Sequence, residues 1–303
     1  MSRGEIQKYI HAVLDRAGSQ PRHRFGQNFM VEPASLRAVI EAGQLTSEDF
    51  VLEIGSGPGN LTRLIAAVAR SVLAVDIDRL LLPAAQAQLS DMTNITWLCE
   101  DALETKHRLS PALLSQITAL RQDRPVKLLA NLPYNIASPL IVILLSHFWR
   151  QIHSLPDGFD IPRMAFTVQL EVAHRMAARI NTAAYGGLTV MIASIAAVKI
   201  IRPLGPGHFW PAPKVDSALV EIIPDPALAA QITDFAFLEL LVARLFSHRR
   251  QRVLNALRHS FNIPPEILMA DLVAADVPPD KRPGELAPSE FCRLATRLQP
   301  RVN

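Results

Sequence analysis

The stretch VLEIGSGPGNLT, residues 51–62, decides the fold of this 303-residue chain. It joins a short apolar run, Val51–Ile54, to a segment of helical spacing, and it places Gly55, Gly57 and Gly59 between them. Glycine lets the backbone turn tightly and lets a ligand approach without a Cβ atom in the way. The stretch therefore predicts a strand, a ligand-binding turn and a helix.

Short apolar runs rich in β-branched residues alternate with helical patterns from about residue 50 to residue 223. The runs are Val51–Ile54, Val72–Val75, Ile95–Leu98, Val126–Ala130, Met164–Val168, Ala193–Ile201 and Leu219–Ile223. This alternation predicts a parallel sheet that helices cover on both faces. The last two runs are joined by the proline-rich segment RPLGPGHFWPAPK, which predicts a hairpin-like, antiparallel end to the sheet.

The remainder of the chain has a different pattern. Residues 234–303 show helical spacing only, and Ser289 is the predicted N-cap of the last helix. We therefore expect an α/β domain over residues 1–225, which begins with a basic arm, and a small all-helical domain over residues 226–303.

The composition excludes several classes of protein. Hydrophobic residues make up 49% of the chain and charged residues 19%, which is typical of a globular protein and not of a disordered one. The longest apolar run, Leu140–Leu145, is far shorter than a membrane span. The N-terminus lacks an apolar signal core, and the two cysteines, Cys99 and Cys292, make a disulfide framework or a cysteine metal site implausible. We expect a cytoplasmic protein with no metal and no membrane partner.

The basic residues are concentrated in two places. The formal net charge is only +3, but 25 of the 31 basic residues are arginines. Arginine suits phosphate because its planar fork donates two hydrogen bonds at once. The residues that we predict to contact RNA from these clusters are Arg22 and Arg24 near the N-terminus and Arg249, Arg250 and Arg252 in the stretch RLFSHRRQRVLNALRH. The alternative is a solvated helix face.

Acidic residues follow the second and third predicted strands. Asp76 ends the second strand, where a ribose is bound in such sheets, and Asp101 follows the third, where it can accept a hydrogen bond from an adenine amine. The glycines are spaced G-x-G-x-G, which differs from the pattern that binds a dinucleotide pyrophosphate. The combination predicts S-adenosylmethionine as cofactor, with the sulfonium near carboxylates such as Glu53 and with Gly57 in the binding loop.

The tetrapeptide NLPY, residues 131–134, follows the fourth predicted strand. An exocyclic aromatic amine is a poor nucleophile because its lone pair is delocalised into the ring. Two acceptors on its protons, the Asn131 side-chain carbonyl and the Leu132 backbone carbonyl, can turn that lone pair toward an electrophile. Pro133 restricts the residue before it, and Tyr134 offers a ring on which a flipped base can stack.

These motifs resemble the ribosomal RNA adenine dimethyltransferase family, in its KsgA group of small-subunit enzymes. The resemblance extends over nearly the whole chain, and FGQNF and PxPKVDSA are its most specific parts. The matching segments are RFGQNFM (24–30), LEIGSGPGNLT (52–62), AVDID (74–78), EDAL (100–103), NLPYNI (131–136), YGGLTV (185–190), FWPAPKVDSALV (209–220), LFSHRRQRVLNAL (245–257) and RPGELAPSEF (282–291).

The resemblance implies a Rossmann-like class I methyltransferase sheet with a small helical C-terminal domain. Residues 1–225 would form the S-adenosylmethionine-dependent methyltransferase domain and residues 226–303 a helical RNA-binding domain. It implies dimethylation of N6 of two adjacent adenosines in the hairpin near the 3′ end of small-subunit (16S) ribosomal RNA, with a role in small-subunit biogenesis. The partner would be this RNA or an immature small subunit, bound by a monomer with the help of Lys214. The implied cofactor contacts are Asn28, Met30, Gly55, Asp76, Asp101 and Asn131. The implied target-adenine contacts are Asn131, Leu132, Pro133, Tyr134 and Phe209, the last as a second stacking ring.

The chain departs from the family pattern at several positions. Asp76 stands where glutamate is usual, Met30 where leucine is usual, and Gly187 where arginine is usual. Residues 108–124 and 151–161 form longer segments than the family norm, and we assign them no role.

Three other functions remain open. A protein glutamine methyltransferase uses a related Asn-Pro-Pro-Tyr turn, although FGQNF and the arginine-rich stretch argue against it. The erythromycin-resistance type of methyltransferase modifies large-subunit RNA with the same turn but lacks LFSHRR. The third is a ribosome-assembly protein in which catalysis is secondary or lost.

Overall fold

The computed structural model describes residues 1–22 and 26–302. Its strands are β1 (Phe29–Met30), β2 (Phe50–Ile54), β3 (Ser71–Asp76), β4 (Ile95–Cys99), β5 (Leu103–Thr105), β6 (Arg108–Leu109), β7 (Val126–Asn131), β8 (Met164–Gln169), β9 (Ala196–Leu204), β10 (Phe209–Trp210) and β11 (Ser217–Pro224). Its helices are α1 (Arg3–Ala17), α2 (Pro33–Gly43), α3 (Asn60–Ala66), α4 (Leu81–Gln88), α5 (Pro111–Arg121), α6 (Ala137–Ile152), α7 (Leu170–Met176), α8 (Gly187–Ala193), α9 (Pro226–Ala229), α10 (Phe235–Ser247), α11 (Val253–Ser260), α12 (Pro265–Ala274) and α13 (Pro288–Val302).

Within the described residues, seven strands form the central sheet in the order β4-β3-β2-β7-β8-β11-β9. The strands from β4 to β8 are parallel to their neighbours, and β11 is antiparallel to β8. The predicted Rossmann-like sheet with an antiparallel end is therefore confirmed. The strand order reverses between β2 and β7, and ligands of such sheets bind outside the carboxyl ends of the strands at this switch point.

The central strands are apolar because both of their faces are covered. Every residue of β2 is buried. Val51 of β2 and Leu129 of β7 belong to a core cluster that also contains Ile10 of α1 and Leu36 of α2. Continuous apolar runs, without polar alternation, are typical of parallel strands buried in this way.

The predicted strands and the observed ones differ mainly at their ends. All seven predicted apolar runs overlap a strand of the central sheet. Residues 193–195 are an exception within their run, because α8 ends at Ala193 and β9 begins at Ala196. The short pair of β1 with β10 was not predicted, since two-residue strands have no periodicity to detect.

Contacts divide the chain into two compact units. The first consists of Met1–His147, Phe159–Ala173 and Lys199–Ile223, and it holds the parallel strands. The second consists of Phe148–Gly158, His174–Val198 and Pro224–Asn303. These units are not linear segments of the chain, whereas the predicted domains were. The domain boundary near residue 225 and the RNA-binding role of residues 226–303 stay predictions.

The second unit is a set of packed helices. Helix α10 contacts α8, α11 and α13. Tyr185, which is buried, donates a hydrogen bond from its hydroxyl to the Leu286 carbonyl over 2.7 Å. The Asp234 side chain caps the start of α10 by accepting a hydrogen bond from the Phe237 amide.

The predicted N-cap of the last helix is wrong. Helix α13 begins at Pro288, so Ser289 lies inside its first turn. The start is stabilised by Glu290, whose carboxylate accepts a hydrogen bond from the Ala287 amide over 2.6 Å. Proline favours the first helical position because its missing N–H is not needed there.

None of the helices in the described ranges is both long enough and apolar enough to cross a membrane.

Candidate active site

The loop after β2 has the geometry that its glycines predict. Gly55, Gly57 and Gly59 all have positive φ angles, of 77°, 54° and 82°. The amides of Gly55 and Ser56 both donate to the Val75 carbonyl, which ties the loop to β3. The loop is thus held with its backbone close to the carboxyl ends of the strands.

Glycine is also required at position 55 because Pro133 lies close to its Cα atom. A Cβ atom at position 55 would lie 2.8 Å from Cδ of Pro133, which is closer than real Cβ contacts allow. The glycine loop after β2 and the NLPY turn after β7 therefore meet in direct contact. This contact brings together the two motifs that the sequence singled out.

Asp76 holds the glycine loop at the end of β3. One oxygen of its carboxylate accepts a hydrogen bond from the Gly57 amide over 2.7 Å, and the other accepts from the Asp78 amide over 2.8 Å. Burial raises the pKa of Asp76 above its ordinary value, and these two backbone hydrogen bonds oppose part of that shift. The carboxylate also lines the cavity described below.

Asn131 is the last residue of β7, and both ends of its carboxamide are engaged. The Nδ2 group donates to the Asn28 carbonyl over 2.7 Å. The Oδ1 atom accepts a hydrogen bond from the Thr167 hydroxyl over 2.5 Å. A carboxamide oxygen has two lone pairs, so one remains for a ligand.

Tyr134 is fixed at the other end of the turn. Its hydroxyl forms a 2.7 Å hydrogen bond with the hydroxyl of Ser217, a buried residue at the start of β11. Burial raises the pKa of the Tyr134 hydroxyl above its ordinary value, and the hydrogen bond with Ser217 opposes part of this shift. Tyr134 lines the same cavity as Leu132 and Pro133.

These motifs enclose an open cavity of about 820 Å³, part of which is open to solvent. Of the residues predicted for the cofactor or the target base, the structure brings these to the cavity: Asn28, Gly55, Gly57, Asp76, Asp101, Asn131, Leu132, Pro133 and Tyr134.

The structure corrects the predicted placement of Phe209. It is only 2% exposed, it pairs with Met30 between β10 and β1, and it belongs to the core cluster. Its ring does not line the cavity, so the predicted role as a second stacking ring is not supported. The proline-rich sequence around Phe209 did not predict the short strand β10, which buries its ring.

Met30 is likewise buried in the core cluster and is not among the cavity residues. Its carbonyl accepts a hydrogen bond from the Asn60 side chain over 2.7 Å. The structure therefore gives the Met30 backbone a role in joining β1 to α3, and the predicted cofactor contact is not supported.

Glu53 does not line the cavity either. It is 1% exposed, and one of its carboxyl oxygens has no hydrogen-bond partner among the described residues. Burial raises its pKa to about 8, and the charge of Asp76 adds to this shift. A buried carboxyl of this kind is largely protonated at neutral pH, so the predicted attraction between a Glu53 carboxylate and the sulfonium is not supported.

The predicted RNA-binding residues have different surroundings. Arg24 lies outside the described residues. Arg22 forms an ion pair with Asp78, with 3.6 Å between Nη1 and Oδ1, so its charge is partly engaged within the protein. Lys214 is exposed in the loop before β11.

Arg249, Arg250 and Arg252 are exposed in the second unit. They lie in the turn between α10 and α11 and not within a helix. Arg249 also donates a hydrogen bond to the Thr182 carbonyl over 3.0 Å. Their role in RNA binding stays a prediction.

Several site residues were missed from the sequence. Phe29, from FGQNF, and Ile77, which is 44% exposed, add apolar surface to the cavity. Gln27 donates to the buried Asp78 carboxylate over 3.0 Å and so fixes the segment before β1. FGQNF and AVDID are both motifs of the sequence, but only the structure shows that they contact each other through Gln27 and Asp78.

The cavity fits S-adenosylmethionine. The glycine loop provides close backbone approach, because side chains at Gly55 and Gly57 would meet Pro133 and Phe29 at about 3 Å or less. Asp76 and Asp101 provide carboxylates at the carboxyl ends of β3 and β4. Together they supply the polar groups that a ribose and an adenine amine require.

Comparison with known proteins decides the family. The family model for ribosomal RNA adenine dimethylase matches residues 18–298. The chain belongs to this family. It is therefore an enzyme, a ribosomal RNA adenine dimethylase that uses S-adenosylmethionine as methyl donor.

Curated relatives of this dimethylase have similar lengths. It is 34% identical over 278 residues to the ribosomal RNA small subunit methyltransferase A of Chromobacterium violaceum, covering 92% of this chain and 95% of the relative. It is 32% identical over 289 residues to the protein of the same name from Latilactobacillus sakei, covering 94% and 92%.

Solved structures confirm the class I methyltransferase fold of the dimethylase. A dimethyladenosine transferase from Plasmodium falciparum is 27% identical, with a TM-score of 0.70 over 90% of this chain and 98% of that one. The 23S rRNA methyltransferase ErmE is 25% identical, with a TM-score of 0.58 over 90% of this chain and 100% of that one.

Proposed function

We propose that this dimethylase methylates N6 of two adjacent adenosines in the 3′-terminal hairpin of small-subunit (16S) ribosomal RNA. The contact between the glycine loop and the NLPY turn carries the proposal, because it joins a cofactor site to acceptors for an amine. The curated relatives named as small subunit methyltransferase A support the choice of RNA. The proposal includes a role in small-subunit biogenesis, a monomeric enzyme and a cytoplasmic location.

The cofactor site in this proposal consists of Asn28, Gly55, Gly57, Asp76, Asp101 and Asn131. When bound, S-adenosylmethionine supplies a methyl group whose bond to the sulfonium breaks as the amine nitrogen bonds to the carbon, leaving the electron pair on sulfur and releasing the amine proton to solvent. Asp76 would face the ribose and Asp101 the adenine amine of the cofactor. Both carboxylates line the cavity next to the glycine loop.

Asn131 and Leu132 orient the target amine. The free lone pair of Asn131 Oδ1 accepts one N–H, and the Leu132 carbonyl accepts the other. With both protons engaged in the ring plane, the nitrogen lone pair is directed out of that plane. Positioning of this kind can contribute about 7–11 kcal/mol to lowering a barrier.

Tyr134 receives the flipped base. A base in a hairpin must leave its stack to reach the cavity, and that costs a few kcal/mol. An aromatic face offsets about 1–3 kcal/mol of this cost. With Phe209 buried, Tyr134 is the stacking ring in this proposal.

The exposed basic residues Lys214, Arg249, Arg250 and Arg252 are the proposed contacts to RNA phosphates. Arg22 contributes less in this proposal, because Asp78 already engages its guanidinium.

Methyl incorporation by the purified enzyme tests the proposal. The substrates are immature small subunits, naked small-subunit RNA, large-subunit RNA and total protein. We expect dimethyladenosine in small-subunit RNA, with monomethyladenosine as a transient. Incorporation into large-subunit RNA would favour the activity named for ErmE, and incorporation into protein would favour a glutamine methyltransferase. No incorporation beside tight particle binding would favour an assembly protein.

Two variants in the same assay test the stacking role. Tyr134→Phe keeps the aromatic face and loses the hydrogen bond to Ser217, so most activity should remain. Tyr134→Ala removes the face as well and should be slower by at least about fivefold, the factor that corresponds to the lower end of the stacking energy of one base. Equal rates of the two variants would contradict the stacking role.

A further inference from the structure

We propose that Thr167 is a positioning residue for methyl transfer and that it acts through Asn131. Thr167 is not part of any motif that the sequence singled out, and it does not line the cavity. The inference rests on the proposed role of Asn131 as an acceptor for the target amine.

The sheet places Thr167 beside Asn131. The two residues are register partners on the parallel strands β7 and β8. Thr167 is fully buried, with 0% of its surface exposed. Its hydroxyl donates to Asn131 Oδ1, the same atom that would accept the amine proton.

A hydroxyl at this position has two effects on the carboxamide. It occupies the lone pair of Oδ1 that faces β8, and so leaves the other lone pair for the substrate. It also fixes the plane of the carboxamide, because the Asn28 carbonyl holds Nδ2 at the opposite end. With only one of the two bonds present, the carboxamide could rotate about its last side-chain torsion, and such terminal torsions have broad energy wells.

A buried threonine on a strand needs no catalytic explanation in general, since threonine is common in strands. At this position, however, threonine can be compared directly with valine. Valine has the same shape and a comparable strand preference but no hydroxyl, so it would suit packing equally well. The hydroxyl is therefore the feature that the proposal concerns.

The experiment compares Thr167→Val with Thr167→Ser. Single-turnover methyl transfer is measured at saturating S-adenosylmethionine and RNA, and affinity for each is measured separately. We expect Thr167→Val to lower the transfer rate by about three- to tenfold, the range for one hydrogen bond of typical net strength. The affinities of Thr167→Val for S-adenosylmethionine and for RNA should both stay within about twofold of the wild type. Thr167→Ser keeps the hydroxyl and should therefore retain most of the wild-type transfer rate.

Ser35→Ala is the matched control. Ser35 is also buried, and its hydroxyl forms a 2.6 Å hydrogen bond with His208 in the same unit. Loss of that bond should reduce stability but not the transfer rate. If Thr167→Val does not fold, Thr167→Ala provides a second way to remove the hydroxyl, and urea denaturation reports the stability of each variant.

Asn131→Ala separates this proposal from the proposed function. We expect Asn131→Ala to slow transfer by about 100-fold or more, as for the loss of one preorganised polar group at a reacting centre. In that background, Thr167→Val should have no further effect, because coupled residues are not additive. A normal rate for Asn131→Ala would overturn the proposed function. Three outcomes would overturn the role of Thr167 alone. The first is a normal transfer rate for Thr167→Val while Asn131→Ala is impaired, and the second is a transfer rate for Thr167→Ser as low as that of Thr167→Val. The third is full additivity of the Thr167→Val and Asn131→Ala effects in the double variant.

Discussion

Gly55 is a residue at which the glycine loop lies against the NLPY turn. Its φ of 77° is in the left-handed region, and a Cβ atom there would overlap Pro133. We expect Gly55→Ala to lower the free energy of unfolding by about 1–3 kcal/mol, from backbone strain alone, and to weaken S-adenosylmethionine binding. Denaturation in urea and calorimetric titration measure the two effects.

Gly205→Ala is the control for this substitution. Gly205 has a φ of −70°, and a Cβ atom there would meet no other atom within 4 Å. Its unfolding free energy should stay within about 0.5 kcal/mol of the wild type. Equal stability of both variants would show that the loop can move away from Pro133 without cost.

Glu53 makes stability depend on pH. Its pKa is about 8 in the folded protein, against an ordinary value of 4.5, because burial disfavours the charged form. Between these values the folded state binds a proton that the unfolded state has lost, so stability falls as the pH rises. The slope is at most about 1.4 kcal/mol per pH unit. We expect Glu53→Gln, which cannot ionise, to lack this loss.

Urea denaturation from pH 4 to pH 9 tests this prediction. The stability of Glu53→Gln relative to the wild type should increase from about pH 5 to about pH 8 and then level off, as the two pKa values require. Glu41→Gln, at an exposed position of α2, should follow the wild type throughout. Parallel curves for Glu53→Gln and the wild type would mean that Glu53 is charged in the folded protein.

The roles of single residues were only partly predictable from the sequence. Asp76 and Asn131 could be found because each follows an apolar run at a switch-point edge, where topology alone brings side chains together. Thr167 could not, because a threonine inside an apolar run resembles any strand residue until its neighbour is known. The burial of Phe209 could not be predicted either, because it depends on the pairing of two short strands.

Elements were more predictable than residues. The strands β2, β3 and β7 are fully or mostly buried, and their largely apolar runs predicted them directly. Helix ends were less predictable, as Ser289 shows, because proline and glutamate can begin a helix as well as a serine cap. The two-residue strands β1 and β10 are specified by their contact with each other.

Helix α10 provides a test at the scale of elements. One oxygen of Asp234 caps the helix at the Phe237 amide, and the other accepts a hydrogen bond from Gln299 in α13, each over 2.9 Å. We expect Asp234→Ala to cost about 1–2 kcal/mol of stability, the range for a lost N-cap. Asp234→Asn keeps a capping oxygen and should lose less. Amide hydrogen exchange in α10 and urea denaturation check both variants, and equal losses would assign the effect to charge.

On the scale of the whole molecule, the distribution of charge governs the attraction to RNA. The net charge of +3 is small, so any attraction to RNA must come from local groups of arginines. Replacing both Arg249 and Arg250 with glutamine should weaken RNA binding without changing S-adenosylmethionine affinity. The slope of log affinity against log salt should become shallower by about 0.7–0.9 for each lost phosphate contact.

A second pair of substitutions controls for net charge. Arg121→Gln with Arg124→Gln, at the end of α5 and in the turn after it, removes the same two charges. Binding measured over a range of salt concentrations should show a changed slope only for the Arg249 and Arg250 pair. The same change in both double variants would indicate a general charge effect and no defined phosphate contact.

The hydrogen bond from Asn131 to the Asn28 carbonyl has a thermodynamic consequence. One side chain touches both the segment proposed to hold the methyl donor and the base proposed to receive the methyl group. Occupancy of either side should therefore change the affinity of the other, and linkage requires the two changes to be equal in size. The first of the two substrates to bind therefore sets the affinity for the second, and the same reciprocity applies to the spent donor and the modified base after transfer.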